Sequence, residues 1–180
     1  MGRITVLIGC MFAQKTTELL RRIRRYKSIG YRVLIVNYKG DTRYGSECIA
    51  SHDNDTEVAV TTTYLKDIDS LVSNYDVIAI DEGQFFVDLH EYVTRWADTV
   101  PVHIVVAGLS GTSAREPFGD MLRLIPHAEE VDYLTALCAV CRDGTPAMYS
   151  KRLVSTTDTV VIGGAESFMP VCRQHYSCSM

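Results

Sequence analysis

Three groups of residues in this 180-residue chain have types and spacings suited to chemistry. The first is Gly9-Cys10-Met11-Phe12-Ala13-Gln14-Lys15-Thr16, which follows an apolar run and opens a helix-forming segment. It fits the phosphate-loop template G-x-x-x-x-G-K-[S/T] at every fixed position except Gln14. In such a loop, backbone N–H groups at a helix start cradle phosphate oxygens. Lys15 would neutralise the β- and γ-phosphates, and the Thr16 hydroxyl would hold Mg²⁺. Glycine at position 14 would permit unusual backbone angles and close approach of phosphate, whereas Gln14 brings a Cβ and a long amide. An ordinary strand–turn–helix that matches the template by chance is the competing reading.

The second group is Asp76-Val77-Ile78-Ala79-Ile80-Asp81-Glu82, with two carboxylates at the end of a buried-strand pattern. A phosphate-loop enzyme uses an acid there for magnesium, and a second carboxylate can serve as general base toward a substrate hydroxyl. A solvated acidic strand end is the plain alternative. The third group is Cys138-Ala-Val-Cys141 with Cys172-Arg-Gln-His175. Four N/S ligands at these spacings make a closed tetrahedral zinc site, structural because no position is left for a catalytic water. Clustered cysteines without a secretory signal read as metal ligands before disulfides. Cys178 is a bystander or a competing ligand, and Cys10 and Cys48 read as free thiols.

The elements that must position these groups follow from periodicity. Ile4–Ile8, Arg32–Tyr38, Val77–Ile80 and Val102–Val106 read as buried strands, and Thr17–Ile29 and Leu89–Ala97 as helices. Residues 39–63 are polar and read mainly as loop. The alternation predicts an α/β fold with a parallel sheet flanked by helices and a ligand site at the strand C-terminal ends. From about Tyr133 the pattern changes to short segments punctuated by Cys, Gly and Pro. We therefore expect a nucleotide-binding α/β domain over 1–133 and a small zinc-binding subdomain over 134–180.

Composition excludes several classes. With 47% hydrophobic and 22% charged residues the chain has a globular make-up, and a net charge of −4 gives no global attraction to nucleic acid or an anionic membrane. The basic run Arg21, Arg22, Arg24, Arg25, Lys27 reads as a solvated helix face. Apolar stretches are too short to span a bilayer, and the N-terminal segment carries no signal-peptide pattern. Val6 stands where a myristoylation motif needs Ser or Thr. A cytoplasmic protein is the expectation.

These groups, in this order, resemble the type II thymidine kinases, the family of vertebrate cytosolic and poxvirus enzymes. The resemblance also rests on Thr17-Glu18-Leu19-Leu20-Arg21-Arg22-Ile23-Arg24-Arg25-Tyr26, Asp41-Thr42-Arg43-Tyr44 and Ile80-Asp81-Glu82-Gly83-Gln84-Phe85-Phe86. Glu116-Pro117-Phe118-Gly119, Lys151-Arg152-Leu153, Val161-Ile162-Gly163-Gly164 and Val171-Cys172-Arg173 extend it over nearly all the chain. The resemblance implies transfer of the γ-phosphoryl of ATP to the 5′-hydroxyl of thymidine or deoxyuridine with Mg²⁺, in nucleotide salvage. It implies Glu82 as general base, Asp81 as the magnesium-side acid, and Lys15 and Thr16 on phosphate and metal. Asp41, Thr42, Arg43 and Gln84 match further nucleotide-site positions. A lasso loop over about 145–170 would hold the base near Val161, Ile162 and Gly163, with Phe85, Leu109, Phe118 and Ser150 lining the pocket. Homotetramers are implied as well.

Three positions depart from the family pattern. Gln14 replaces the phosphate-loop glycine, Ser113 stands where a phenylalanine packs on the base, and Phe168 stands where a lasso tyrosine is usual. Loss of an aromatic stacking partner costs about 1–3 kcal/mol by analogy with bases stacked on aromatics. Two readings follow: an active thymidine kinase with weakened or shifted nucleoside preference, or a catalytically weakened or inactive kinase-fold protein with a binding or regulatory role. A nucleic-acid-binding zinc module is a weak third, because the zinc segment lacks a basic stripe.

Overall fold

The computed structural model describes residues 1–40, 48–50, 56–154 and 164–177. The apolar run near the N-terminus forms β1 (Arg3–Gly9), whose last six residues are buried on both faces. It runs into α1 (Lys15–Ser28), which turns Leu19, Leu20 and Ile23 inward. The chain returns as β2 (Val33–Tyr38). The segment read as loop instead holds three short strands, β3 (Cys48–Ala50), β4 (Thr56–Val58) and β5 (Val60–Thr62). Strands β3 and β4 pair as an antiparallel ribbon, and β5 joins β2 in parallel. Three-residue strands among polar residues leave no apolar run to read, which is why the sequence shows only loop.

A 3₁₀ helix over Leu65–Asn74 leads to β6 (Val77–Ile80), α2 (Leu89–Thr99) and β7 (His103–Leu109). A second 3₁₀ segment, Met121–His127, leads to β8 (Glu130–Leu134). Among the described residues the main sheet is parallel, in the order β5-β2-β6-β7-β1-β8. Its two faces are covered differently. The α1 face packs Leu7, Ile35, Ala79 and Val105 against the helix, and the other face packs Ile4, Ile78, Ile80 and Ile104 against Trp96, Phe86 and Leu65. Burial on both sides explains the near-continuous apolar strands.

Edge strand β8 was not legible as a strand, because Glu130 and Asp132 interrupt it. Those carboxylates have a partner. Arg22 of α1, only 12% exposed at its side chain, meets Glu18 at 2.8 Å and Glu130 at 3.1 Å, and also pairs with Asp132. The basic run is thus not uniformly solvated: Arg22 ties α1 to the sheet edge, while Arg21 stays exposed against Glu18.

Beyond β8 the chain leaves the sheet for two antiparallel ribbons. One pairs β9 (Ala136–Leu137) with β10 (Pro146–Ala147), and the other pairs β11 (Tyr149–Arg152) with β12 (Phe168–Val171). A short helix, α3 (Arg173–Ser177), follows. No helix among the described residues is long and apolar enough to cross a membrane.

His103 supplies a pH test of this core. Its Nε2 lies 2.9 Å from the Thr5 hydroxyl and its Nδ1 2.7 Å from the Tyr26 hydroxyl. Burial first, then the charge of Arg3, pushes its pKa down from 6.5 to about 4. Between those values the unfolded chain binds a proton that the folded chain refuses, so stability falls as pH drops from 6.5 to about 4. Urea unfolding across that window will show a shallower pH slope for His103→Gln than for the wild type. Equal slopes would contradict the buried neutral imidazole.

Candidate active site and metal centre

The phosphate loop leaves the C-terminal end of β1. A Cβ on Gly9 would fall on the Leu134 carbonyl, so the close approach of β8 requires glycine there. Gln14 takes the left-handed conformation, φ 59° and ψ 31°, and its side chain is exposed. Phe12 is also left-handed, at φ 64°. The residue that replaces glycine thus keeps the backbone conformation that glycine favours. The Gln14 carbonyl accepts the Glu18 N–H at 2.9 Å, the first turn of α1. The N–H groups of Lys15, Thr16 and Thr17 stand at the helix start, the positive end of its dipole.

Lys15 folds back over the loop, its Nζ donating to the Cys10 carbonyl at 2.7 Å. The Thr16 hydroxyl donates to Asp81 Oδ2 at 2.9 Å. Asp81 is 6% exposed and its pKa is pushed up to about 7, by burial first and then by the negative charge of Glu82. A nearby cation would favour the carboxylate. A hydroxyl and a carboxylate already in contact form a hard oxygen donor pair of the kind Mg²⁺ takes.

Glu82 is left-handed at φ 53° and starts a 3₁₀ turn over Gly83–Phe85. Its Oε2 accepts from the Gln84 amide at 2.5 Å, and Gln84 Oε1 accepts the Leu109 N–H at 2.9 Å. Buried Gln84 thereby fixes the acid to the end of β7. Space behind this turn is tight: a Cβ at Gly83 would meet Met121 Sδ and Val106 Cγ1 at 2.8 Å. Phe85 packs edge-on to Phe118 at 5.5 Å and stacks on Tyr38 at 5.2 Å.

The other expected pocket residues lie on the ribbons and their neighbours. Ser113 sits in a loop closed by a Gly111–Pro117 bridge, and its carbonyl accepts the Tyr176 hydroxyl at 2.8 Å. Arg115 lies over the Tyr176 ring at 4.4 Å. Phe168 is buried in β12, and the Ser150 hydroxyl is directed at the phosphate loop rather than at Phe85 or Phe118 in any contact the structure shows. Asp41, Thr42, Arg43, Val161, Ile162, Gly163 and Cys178 lie outside the described residues. Tyr38, Arg115 and Tyr176 were not singled out from the sequence. Their contacts are long-range, and no local spacing announces them.

Cys138, Cys141, Cys172 and His175 converge, with their ligand atoms all within 4.8 Å of one another. Cys141 and Cys172 sulfurs are 3.8 Å apart, and His175 Nδ1 lies 3.3 Å from each. Zn–S bonds of about 2.3 Å at tetrahedral angles put two sulfurs about 3.8 Å apart, so the set fits a bound zinc. The ribbons supply this geometry: Cys138 directly follows β9, and β12 delivers Cys172 to the start of α3.

Comparison with known proteins agrees with the geometry. The thymidine kinase family model matches residues 2–176. The chain belongs to the thymidine kinase family. It is 43% identical to the thymidine kinase of Myxoma virus (strain Uriarra) over 175 residues, 97% of this chain and 96% of that protein. It is 41% identical to those of Monkeypox virus and of Vaccinia virus (strain Ankara), each over 97% of both chains. Members of this family are phosphotransferases.

Two outcomes test this site. Gln14→Gly relieves a left-handed cost of about 1–2 kcal/mol and loses part of that gain to unfolded-state entropy. A net stabilisation of about 0.5–1 kcal/mol in urea unfolding is the expected result, and a loss of stability would contradict the strained assignment. Elemental analysis should find one zinc per chain in freshly folded protein and none in Cys172→Ser/His175→Ala, whose thermal transition falls well below the wild type. Full metal content in that variant would exclude this ligand set.

Proposed function

We propose that the protein is a working thymidine kinase, transferring the γ-phosphoryl of ATP to the 5′-hydroxyl of thymidine or deoxyuridine in nucleotide salvage. One observation carries this reading: the Thr16–Asp81 hydrogen bond brings the phosphate loop and the acidic strand end to one sheet edge, with Glu82 beside them. Lys15 moves from the Cys10 carbonyl to the β- and γ-phosphates, exchanging a dipole for two charges. Thr16 and Asp81 would hold Mg²⁺, which would supply charge neutralisation at the phosphate oxygens. Glu82, oriented by Gln84, accepts the proton of the nucleoside hydroxyl as that oxygen attacks. Little covalent work falls to the protein, so positioning and electrostatics account for the rate.

Phe85 and Phe118 form an aromatic wall suited to a nucleobase. Leu109, Ser113, Phe168 and the segment with Val161–Gly163 belong to the same proposed pocket, as Asp41–Arg43 do to the ATP side. Zinc is structural in this reading, and the proposed division into 1–133 and 134–180 falls within β8, whose last residue, Leu134, still pairs with Gly9 of the sheet. Homotetrameric assembly and a cytoplasmic setting are proposed from the family alone. The alternative, a catalytically weakened or inactive protein with a binding or regulatory role, is motivated by Gln14 and Ser113; that Gln14 keeps the left-handed backbone glycine favours supports the catalytic reading over it.

A radiolabelled phosphate-transfer assay across a nucleoside panel tests the proposal. Thymidine or deoxyuridine should be phosphorylated, and Glu82→Gln should lower kcat by about 10²–10⁴-fold while nucleoside binding persists. No turnover above that variant with any nucleoside would reject it.

A further inference from the structure

The Cys10–Met11 peptide group is gripped from both sides. Its carbonyl accepts the Lys15 ammonium at 2.7 Å, and its N–H donates to the Ser150 hydroxyl at 2.9 Å, across 139 residues of chain. The peptide is planar, so the N–H and C=O point in opposite directions and fixing one fixes the other. The Cys10 thiol adds a third hold, donating to the Ala147 carbonyl at 3.3 Å. Ser150 is itself buried, and it is fixed by the β11–β12 register that sets it opposite Pro170. Strand β12 runs on into metal ligand Cys172, and the next residue of β11, Lys151, donates to the His175 carbonyl at 2.9 Å. Cys10, Ala13, Cys138, Ala147, Val171 and Cys172 share one apolar cluster, so loop and knuckle pack as one body.

We propose that Ser150 is a positioning residue for the phosphate loop, orienting the Cys10–Met11 peptide so that its carbonyl parks Lys15 at the phosphate site. This rests on reading the loop as the ATP site. The Met11 N–H is consumed by Ser150 and is not a phosphate donor. Without the hydroxyl, the peptide plane can rotate and the cradle must be reordered each time a nucleotide binds, which weakens nucleotide affinity.

The test uses zinc-loaded full-length protein and a non-hydrolysable ATP analogue with Mg²⁺. Ser150→Ala should weaken analogue binding by about five-fold, the scale of one hydrogen bond, and speed Met11 amide exchange. Exchange at Val6 and Leu7 in β1 should not change, and Ser150→Thr should restore both readouts. Unaltered Met11 exchange, or a loss confined to thymidine affinity, would overturn the proposal. If the wild type binds no ATP analogue, the ATP reading fails by itself, and Met11 exchange alone then decides the role of Ser150.

Discussion

The Thr16–Asp81 hydrogen bond is the contact on which the site depends. Thr16 follows β1 and Asp81 follows β6, with β7 lying between them in the sheet. The bond therefore spans the end of a central strand, and it forms only if the three strands finish level. Parallel pairing sets that register: Ile4 and Ile78 both face Ile104 on β7, and Val6 and Ile80 both face Val106. Apolar side chains buried on both faces resist a slip by even one residue, since a slip would turn every side chain over. The core thus aligns the strand ends, and the strand ends align a hydroxyl, an ammonium and two acids.

Strain and close packing meet at the same strand ends, with two further left-handed residues, Arg115 and Arg142, elsewhere among the described residues. Phe12, Gln14 and Glu82 are left-handed without being glycine, and each borders a group with a proposed chemical task. Such conformations persist where surrounding contacts over-determine them. Here those contacts are Glu18 on the Gln14 carbonyl, Ser150 on Met11, and Gln84 on Glu82. The ribbons that carry the Cys₃His knuckle are one of these supports. Their strands are short, and a metal ion held by this ligand set would supply a cross-link that a larger core otherwise provides.

Much of this was legible in the sequence. Strands β1, β2, β6 and β7 announced themselves as apolar runs, the two long helices by their period, and the knuckle by cysteine spacing. What escaped has physical reasons. Strand β8 hides because Glu130 and Asp132 serve Arg22, a contact over more than 100 residues. The 3₁₀ helix over Leu65–Asn74 is anchored by Asp88, whose carboxylate accepts the Leu65 and Lys66 N–H groups, so its start signal lies in another element. Gln14 looked like a defect in the loop because sequence shows a missing glycine but not the backbone angle that replaces it. The Ser150 and Tyr176 hydroxyls, each reaching a loop more than 60 residues away, had no local signature at all.

We propose that ATP and a pyrimidine deoxynucleoside meet between Lys15 and Glu82, at the C-terminal ends of β1 and β6. A crystal structure with a non-hydrolysable ATP analogue, Mg²⁺ and thymidine tests this most directly. The expected result is Lys15 Nζ released from the Cys10 carbonyl onto the γ-phosphate, Mg²⁺ on Thr16, and the thymidine 5′-hydroxyl within hydrogen-bond reach of Glu82. A triphosphate bound away from the 9–16 loop, or a 5′-hydroxyl pointing away from Glu82, would contradict it.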